Sequence, residues 1–261
     1  MNYQKHLRVA RRAAFAAGRV IKRVSRTGLS VTVKGEHYNL VTAADVAAEE
    51  KIVSVIRAAF PGHNILAEEK DYGRTGSPFT WVIDPIDGTS NFAHGFPHYG
   101  VSIGLARGEE MAVGVIYFPE RRELFHAVRG GGSFCNGRPI RASAAPDLRH
   151  SLLVTGFHYD RDEKMELTLR KIGRLLRLGI MDIRRTGSAA LDLCYTAAGR
   201  VEGHFEYKLN PWDFAAGLLI VTEAGGRVTS WEGRPLGLTA SSIVATNGRI
   251  HDELLKVLGE E

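Results

Sequence analysis

The chain has 261 residues, of which 44% are apolar and 24% charged, ordinary proportions for a globular protein with a substantial core. Its longest apolar run, residues 215–221, is far shorter than the roughly 20 residues that cross a bilayer, and no secretory signal is visible, so we exclude a membrane protein. Two cysteines, Cys135 and Cys194, are too few for a disulfide framework or a zinc site. We therefore expect a cytoplasmic protein in which both thiols are buried or partly buried.

The basic residues are concentrated at the N-terminus. The net charge of +5 comes from 34 Lys and Arg against 29 Asp and Glu, and residues 1–34 contain no acid. The cations of this segment are Lys5, Arg8, Arg11, Arg12, Arg19, Lys22, Arg23, Arg26 and Lys34. We interpret the segment as one solvated helix face. The alternative, binding of RNA or of a transcription complex, is less favoured because no aromatic residues are interleaved with the cations to stack on bases.

The hydrophobic pattern mixes helical and strand periods along the chain. A first helix is predicted over residues 3–26, with an apolar stripe that includes Leu7, Ala14 and Ile21. Further predicted helices cover 45–60 and a segment that opens at Pro211, and predicted strands cover 29–33, 65–67, 81–83, 101–106, 112–118, 123–127, 152–155, 201–206 and 242–245. This mixture indicates an α+β fold of layered sheets and helices.

Residues 81–92 carry the strongest chemical signal in the chain. An apolar run ends at Asp84, and the proline that follows is expected to end the strand there, because proline cannot donate to a central ladder. Asp87 follows three residues later, and Gly88 and Thr89 come next. Two carboxylates at a strand end suit magnesium, and the amides of a glycine turn suit a phosphate. The alternative is an Asx turn that happens to contain two aspartates.

Two other acidic segments extend this pattern. Glu68 and Glu69 follow a short apolar run and therefore lie at another predicted strand end. Asp213 lies near the start of the helix that opens at Pro211. Each has a structural alternative, because a glutamate pair is often solvated and an aspartate in the first turn of a helix often stabilises that turn. Only in combination with residues 81–92 do they indicate a metal site.

Taken in order, these motifs resemble those of the inositol monophosphatase family. The matching segments are 39–45, Glu-Glu at 68–69, Asp-Pro-Ile-Asp-Gly-Thr-Ser-Asn-Phe at 84–92, Gly-Ser-Ala-Ala at 187–190 followed by Asp192, and Trp-Asp-Phe-Ala-Ala-Gly at 212–217. The resemblance runs from about residue 34 to residue 247. It implies one catalytic domain over residues 1–261 with the layered α-β-α-β-α sandwich of the sugar phosphatases, a group that includes fructose-1,6-bisphosphatase.

The resemblance implies a magnesium-dependent phosphoric monoester hydrolase. Phosphate monoesters hydrolyse extremely slowly without a catalyst, and paired magnesium ions activate the attacking water and neutralise the leaving oxygen. By resemblance, Glu68, Asp84 and the backbone carbonyl of Ile86 would hold the first ion. Asp84, Asp87 and Asp213 would hold the second, with Asp84 bridging, and a third, looser ion would rest on Glu68. Manganese is an alternative metal, and inhibition by lithium is a further implication.

The same resemblance assigns the remaining catalytic roles. Thr89 would orient the attacking water, with Asp45 hydrogen-bonded to the threonine hydroxyl, and Glu68 acts through its metal. The amides of Gly88 and Thr89 would bind the phosphate oxygens beside Asp87. A magnesium-bound water would attack the phosphorus directly and in line, so no residue becomes phosphorylated.

A second group of residues would face the alcohol side of the substrate. By resemblance its members are Gly187, Ser188, Ala189 and Glu206. Glu206 matches the family position of an acid that contacts a sugar hydroxyl. The small residues at 187–189 are equally well explained by helix packing, so the sequence leaves both interpretations open for them.

Three cations and two histidines lie close to these motifs in the sequence. Arg184, Arg185 and Lys208 would either bind a second anionic group of the substrate or only pair with nearby acids, and the sequence does not decide between the two. His94 and His98 are interpreted as surface or packing residues, because magnesium prefers oxygen ligands.

The favoured substrate is inositol monophosphate, hydrolysed to myo-inositol and phosphate. Fructose 1,6-bisphosphate is the main alternative, alone or alongside inositol monophosphate, and histidinol phosphate and 3′-phosphoadenosine nucleotides are less favoured. The metal motif does not choose among them, because specificity depends on the less distinctive residues 157–208. The resemblance also implies a homodimer. It extends to bacterial relatives with a second role in transcription, which is the source of the RNA-binding alternative for the N-terminal helix.

Overall fold

The chain is described from a computed structural model that covers residues 2–27, 31–33, 40–157, 162–239 and 241–259. Its helices are α1 (Gln4–Thr27), α2 (Ala43–Arg57), α3 (Thr89–Ala93), α4 (Glu163–Arg177), α5 (Ala189–Ala197), α6 (Pro211–Glu223) and α7 (His251–Gly259). Its strands are β1 (Val31–Val33), β2 (Leu40–Thr42), β3 (Asn64–Ala67), β4 (Phe79–Asp87), β5 (Gly100–Arg107), β6 (Glu110–Phe118), β7 (Glu123–Val128), β8 (Ser133–Cys135), β9 (Arg138–Pro139), β10 (Leu152–Thr155), β11 (Asp182–Arg185), β12 (Gly203–Leu209), β13 (Arg227–Thr229) and β14 (Ser241–Thr246). The predicted strand at 29–33 is described only over β1, and residue 39 of the first family motif lies outside the described residues.

Two sheets organise the strands, beside the antiparallel pair β1–β2. The seven-stranded sheet has the order β3-β4-β5-β6-β7-β8-β9, with β3 and β4 parallel and all other neighbours antiparallel. The five-stranded sheet has the order β11-β10-β12-β14-β13. In it, β10 runs parallel to β11 and to β12, while β14 runs antiparallel to its two neighbours.

The helices and sheets form five layers around three hydrophobic cores. The first core lies between α1, α2 and one face of the seven-stranded sheet. The second holds α5 and α6 between the two sheets, and the third lies between the five-stranded sheet and the outer helices α4 and α7. Side chains of β6 point alternately to the two faces of the seven-stranded sheet. Val113 and Val115 accordingly belong to the first core, and Ile116 and Phe118 belong to the second. The layered α-β-α-β-α sandwich is therefore confirmed.

The first two helices lie close to the predicted ranges, with two corrections, one of which is that α2 ends at Arg57 and not at residue 60. Helix α2 begins at Ala43, two residues before the predicted start, because Thr42 caps it. The Thr42 hydroxyl accepts a hydrogen bond from the N–H of Ala44 at 3.1 Å, and Asp45 accepts one from the N–H of Thr42 at 2.7 Å. This reciprocal capping box satisfies donors that the start of a helix leaves unpaired.

The prediction that the strand after Trp81 ends at Asp84 is wrong. Strand β4 continues to Asp87, because its register against β5 shifts between these two aspartates. Asp84 pairs with Ser102 and Asp87 with Gly100, so two residues of β4 oppose one residue of β5. The ladder of hydrogen bonds is interrupted at such a bulge, so a proline, which has no N–H, is tolerated there. The bulge also bends the strand at the two aspartates.

No helix in the described part of the chain is long and apolar enough to cross a membrane. Cys194 is fully buried, Cys135 is partly buried, and both are free thiols, as predicted. Burial raises the pKa of both thiols, so neither is activated as a nucleophile.

Helix α6, which carries Asp213, packs very closely against the seven-stranded sheet. A Cβ atom at Gly114 of β6 would lie 2.5 Å from the carbonyl oxygen of Ala216, so only glycine fits there. The Ser102 hydroxyl of β5 also donates a hydrogen bond to the carbonyl oxygen of Trp212 at 3.2 Å. These contacts fix the distance between the start of α6 and the end of β4.

We expect Gly114→Ala to destabilise the protein, because its methyl group meets the rigid backbone of α6. The loss in the free energy of unfolding should be about 1–3 kcal/mol, measured by urea denaturation. Gly62→Ala is the matched control, since a Cβ at Gly62 meets no atom within 4 Å, and its effect should stay within about 0.5 kcal/mol. Equal stability of the two variants would contradict this account of the packing.

Candidate active site

A cavity of about 110 Å³ lies where the ends of four strands meet the first turns of α5 and α6. Strand β4 contributes both of its terminal aspartates to the lining, and β10, β11 and β12 contribute residues at or near their ends. The cavity lining includes these predicted site residues: Glu68, Asp84, Ile86, Asp87, Gly88, Thr89, Gly187, Ser188, Ala189, Glu206 and Asp213. Segments from both halves of the chain therefore meet in one cavity.

Three aspartates form its most acidic part. One carboxylate oxygen each from Asp84, Asp87 and Asp213 lies within 4.8 Å of the other two. Asp84 and Asp87 are brought together by the bulge of β4, and Asp213 comes from the first turn of α6. The N–H of Asn210 donates to Oδ2 of Asp213 at 2.7 Å, so the predicted helix-capping role of this aspartate is also present. The capping bond occupies one carboxylate oxygen and leaves the second one for another partner.

Asp84 is the most constrained of the three. Among the described residues no group donates a hydrogen bond to its buried Oδ1 atom. Burial, and then the charges of Glu68, Asp87 and Asp213, raise the pKa of Asp84 well above its ordinary value. A buried carboxylate without a partner, surrounded by other carboxylates, is strongly unfavourable unless a cation compensates it. The donor set, all oxygen, therefore fits a hard divalent cation such as Mg²⁺.

Glu68 joins the same cavity from the neighbouring strand. Strands β3 and β4 are parallel with Ala67 opposite Ile83, so the next residues, Glu68 and Asp84, follow side by side. Glu68 lines the cavity but is not part of the close group of three aspartates. Its neighbour Glu69 does not line the cavity, and the N–H of Glu69 donates to Glu49.

Thr89 connects the acidic group to α2. Its hydroxyl lies 3.0 Å from Oδ1 of Asp45 and 2.9 Å from the carbonyl oxygen of Ile86. Asp45 is fully buried, and burial raises the pKa of its carboxyl although Thr42 and Thr89 oppose the shift with hydrogen bonds. Gly88, just before Thr89, has a left-handed backbone with φ of 96°.

Asp87 is bound tightly to the start of α5. Its Oδ2 atom accepts hydrogen bonds from the Ser188 hydroxyl at 2.5 Å and from the N–H of Ala190 at 2.7 Å. Burial raises the pKa of Asp87 to about 6, against the effect of these bonds. Ser188 is itself buried, so its side chain holds Asp87 in place. This position was predicted only as a substrate contact, and the hydroxyl's bond to Asp87 is a second function that the motif did not indicate.

Close to the three aspartates lies a second buried group, Glu206, Asp192 and His204, that the sequence only partly indicated. Glu206 was predicted, but Asp192 and His204 were not assigned to the site. Nε2 of His204 lies 3.8 Å from Glu206 and Nδ1 lies 3.9 Å from Asp192. Burial lowers the pKa of His204 to about 3, so the imidazole is neutral. The available signal was the spacing of His204 and Glu206, which places both on one face of β12.

Burial, and then the charges of Asp192 and Asp87, raise the pKa of Glu206 to about 8. Glu206 is thus a neutral acid at pH 7 and can donate a hydrogen bond. The predicted interpretation of the histidines near the motif also holds, since His94 is exposed and His98 is buried against Phe118.

A family model described as "Inositol monophosphatase family" matches residues 2–261. The chain belongs to this family. It is 45% identical over 256 residues to an inositol-1-monophosphatase of Synechocystis sp., which covers 98% of this chain and 89% of that relative. It is 44% identical over 252 residues to the Nus factor SuhB of Pasteurella multocida, covering 95% and 94% of the two chains.

Solved structures agree with this assignment. The inositol monophosphatase from Anabaena (Nostoc) sp. PCC 7120 superimposes with a TM-score of 0.89 and 43% identity, covering 99% of this chain and 96% of that one. The sandwich fold and the assignment as a phosphoric monoester hydrolase of the inositol monophosphatase family therefore rest on independent comparisons.

The raised pKa of Glu206 predicts a pH-dependent stability. A carboxyl with an ordinary pKa of 4.5 and a folded pKa of about 8 binds more protons in the folded state, so it lowers stability as the pH rises between these values. Glu206→Gln is neutral at every pH. In chelator, its free energy of unfolding relative to the parent chain should therefore increase from pH 5 to pH 8, measured in urea.

The control for this experiment is Glu166→Gln on the exposed side of α4. Its stability difference from the parent chain should not change with pH. A Glu206→Gln difference that is equally independent of pH would show that the carboxyl of Glu206 is not held neutral by burial.

Proposed function

We propose that this chain is a magnesium-dependent phosphatase that hydrolyses inositol monophosphate to myo-inositol and phosphate. The observation that carries the proposal is the group of Asp84, Asp87 and Asp213, whose carboxylate oxygens lie within 4.8 Å of one another while Oδ1 of Asp84 has no hydrogen-bond partner among the described residues. Carboxylates this close together repel one another, and such crowding is expected where bound cations are part of the active site.

In this proposal Glu68, Asp84 and the carbonyl oxygen of Ile86 would hold one ion, and Asp84, Asp87 and Asp213 would hold a second. A third, looser ion would rest on Glu68, and manganese is an alternative to magnesium. When bound, the ions neutralise charge on the phosphate and lower the pKa of the attacking water. The carboxylates themselves fix where this chemistry takes place, because bonds to Ser188 and Asn210 hold two of them in position.

The remaining catalytic steps are assigned to residues around Gly88. The N–H groups of Gly88 and Thr89 bind the phosphate oxygens, and the Thr89 hydroxyl orients the water that attacks in line. Asp45 accepts a hydrogen bond from the Thr89 hydroxyl, and the lone pairs of that hydroxyl could then accept a hydrogen bond from the water. A Cβ at Gly88 would lie 3.1 Å from the carbonyl oxygens of Gly187 and His98, so the turn requires glycine.

The alcohol side of the substrate is assigned to Glu206 and to the segment Gly187, Ser188 and Ala189. Because burial keeps Glu206 neutral, its carboxyl both donates to and accepts from a sugar hydroxyl. The small residues leave room for a polyol ring against the start of α5. Fructose 1,6-bisphosphate remains the main alternative substrate, followed by histidinol phosphate and 3′-phosphoadenosine nucleotides.

Other properties expected from the family stay predictions. They are the organisation of residues 1–261 as one catalytic domain, a homodimer, a cytoplasmic location and inhibition by lithium.

The first test is phosphate release from inositol 1-phosphate, with magnesium and with chelator. We expect Asp213→Asn to lower magnesium-dependent release by at least about a hundredfold, because it removes one ligand charge. Asparagine keeps an oxygen that can accept the capping bond from Asn210, so the variant should fold. Magnesium should raise the melting temperature of the parent chain and raise that of the variant less. Full activity of Asp213→Asn would refute the assignment of this ligand.

A second candidate function, binding of single-stranded RNA, is favoured by a groove of about 680 Å³ on α1. Its lining is Phe15, Gly18, Arg19, Lys22, Arg23 and Arg26 of α1, with Tyr117 and Arg122. The expectation that no aromatic residues accompany these cations is wrong, because Phe15 stands between Arg12 and Arg19 in the sequence and its ring lies 4.8 Å from that of Tyr117 in the groove. The fold brings Tyr117 of β6 against the helix, which the sequence of α1 alone does not indicate. Cations beside aromatic rings suit a nucleic-acid strand, and the Pasteurella multocida relative is named a Nus factor.

Reversing two groove charges with Arg19→Glu and Arg23→Glu should weaken binding of a single-stranded RNA by at least about tenfold, measured by fluorescence anisotropy at fixed salt. Phosphate release should not change, because neither residue lines the cavity. Arg8→Glu with Arg107→Glu, two exposed cations outside the groove, is the charge-matched control. Equal loss of binding in both pairs would point to non-specific attraction.

A further inference from the structure

One cation, Arg185, stands out in the cavity of the candidate active site. Six carboxylates line this cavity, and Arg185 is the sole cation among the described lining residues. It lies at the end of β11, beside Gly187 and on the side of the cavity that holds Glu206 and Asp192. It therefore lies at the proposed alcohol side and not among the proposed metal ligands.

The backbone of β11 determines which of the two neighbouring arginines enters the cavity. Side chains alternate between the two faces of a strand. Arg184 pairs with Asp182 on the same face and does not line the cavity. Arg185 faces the other way, at the position where β11 ends opposite Thr155 of β10. Lys208, the third cation that the sequence left open, is also absent from the lining.

Gly187 leaves room for the side chain of Arg185, because it has no side chain of its own. A Cβ atom at Gly187 would lie 2.9 Å from Nη1 of Arg185, so the guanidinium rests directly against the glycine backbone. The loop is held from the other side by Asn91, whose Nδ2 donates to the carbonyl oxygen of Thr186 at 2.9 Å. The guanidinium thus lies against the backbone of a loop that Asn91 holds in place.

The guanidinium of Arg185 interacts with its surroundings through its charge, which lowers the pKa of both Asp192 and Glu206. Within the part of the chain that the structure describes, no side-chain hydrogen bond or salt bridge involves Arg185. Its acidic neighbours Asp192 and Glu206 are buried, and burial raises the pKa of both carboxyls against this effect, to about 8 for Glu206. Asp192 already accepts a hydrogen bond from the Thr186 hydroxyl at 2.6 Å. An arginine so placed presents its planar donors to the cavity.

We propose that Arg185 forms a subsite for a second phosphate on the alcohol portion of the substrate, so that doubly phosphorylated sugars are better substrates than their monophosphates. This inference rests on the proposed phosphatase function and selects among the esters that it leaves open. Arginine binds phosphate oxygens through two parallel N–H donors, which gives both affinity and orientation. The competing explanation is that Arg185 only balances the buried acids beside it.

The test uses two esters that differ only in the second phosphate, fructose 1-phosphate and fructose 1,6-bisphosphate. The variant is Arg185→Gln, and Arg184→Gln is the matched control on the opposite face of the same strand. We expect kcat/KM for the bisphosphate, divided by that for the monophosphate, to fall about ten- to a hundredfold in Arg185→Gln. The ratio in Arg184→Gln should equal that of the parent chain.

Equal losses on both esters in Arg185→Gln, or an unchanged ratio, would overturn the subsite and support the charge-balancing explanation. A parent chain that hydrolyses neither ester nor inositol 1-phosphate would instead refute the proposed function. In that case the subsite is tested by calorimetry, which measures the affinity for fructose 1,6-bisphosphate in the presence of magnesium. Binding at least about tenfold weaker in Arg185→Gln supports it, and equal binding overturns it.

Discussion

The structure around the cavity depends on one constraint. The fold holds several carboxylates close together although they repel one another. Asp84, Asp87 and Asp213 have oxygens within 4.8 Å of one another, and the first of them has an oxygen without a hydrogen-bond partner among the described residues. Burial and mutual charge both raise the pKa of Asp84, so the arrangement costs free energy in the absence of cations. Such an arrangement persists only where the surrounding scaffold leaves the carboxylates no alternative.

Different local features of the structure hold the aspartates of this group in place. The β4 bulge brings Asp84 and Asp87 together on one short segment. The start of α5 binds Asp87 through Ser188 and a backbone N–H, and the capping bond from Asn210 orients Asp213. Helix α6 is in turn held against the seven-stranded sheet, where only a glycine fits beneath its backbone. The middle helical layer thereby connects the two halves of the chain at the cavity.

The cavity contains two buried acidic groups with different neighbours. Three aspartates crowd their oxygens together, an arrangement that fits bound cations. Close to them, Glu206, Asp192 and His204 are buried together, and burial raises the pKa of both acids and lowers the pKa of the imidazole. Arg185 is the cation among the described lining residues and lies beside these two acids. A cation at the proposed alcohol side would bind an additional anion on the polyol.

The sequence by itself determined the first helix, most strands and the acidic positions Glu68, Asp84, Asp87 and Asp213, because these depend on local periodicity and on short motifs. The strand end at Asp84 was misjudged, since the effect of a proline depends on whether the partner strand needs its N–H. Only the tertiary structure separated Arg185 from Arg184, brought Tyr117 to the basic face of α1, and gave Ser188 its bond to Asp87. The physical reason is common to all of these. The register of a strand and the packing of a helix decide which side chains meet, and both are set by residues far away in the chain.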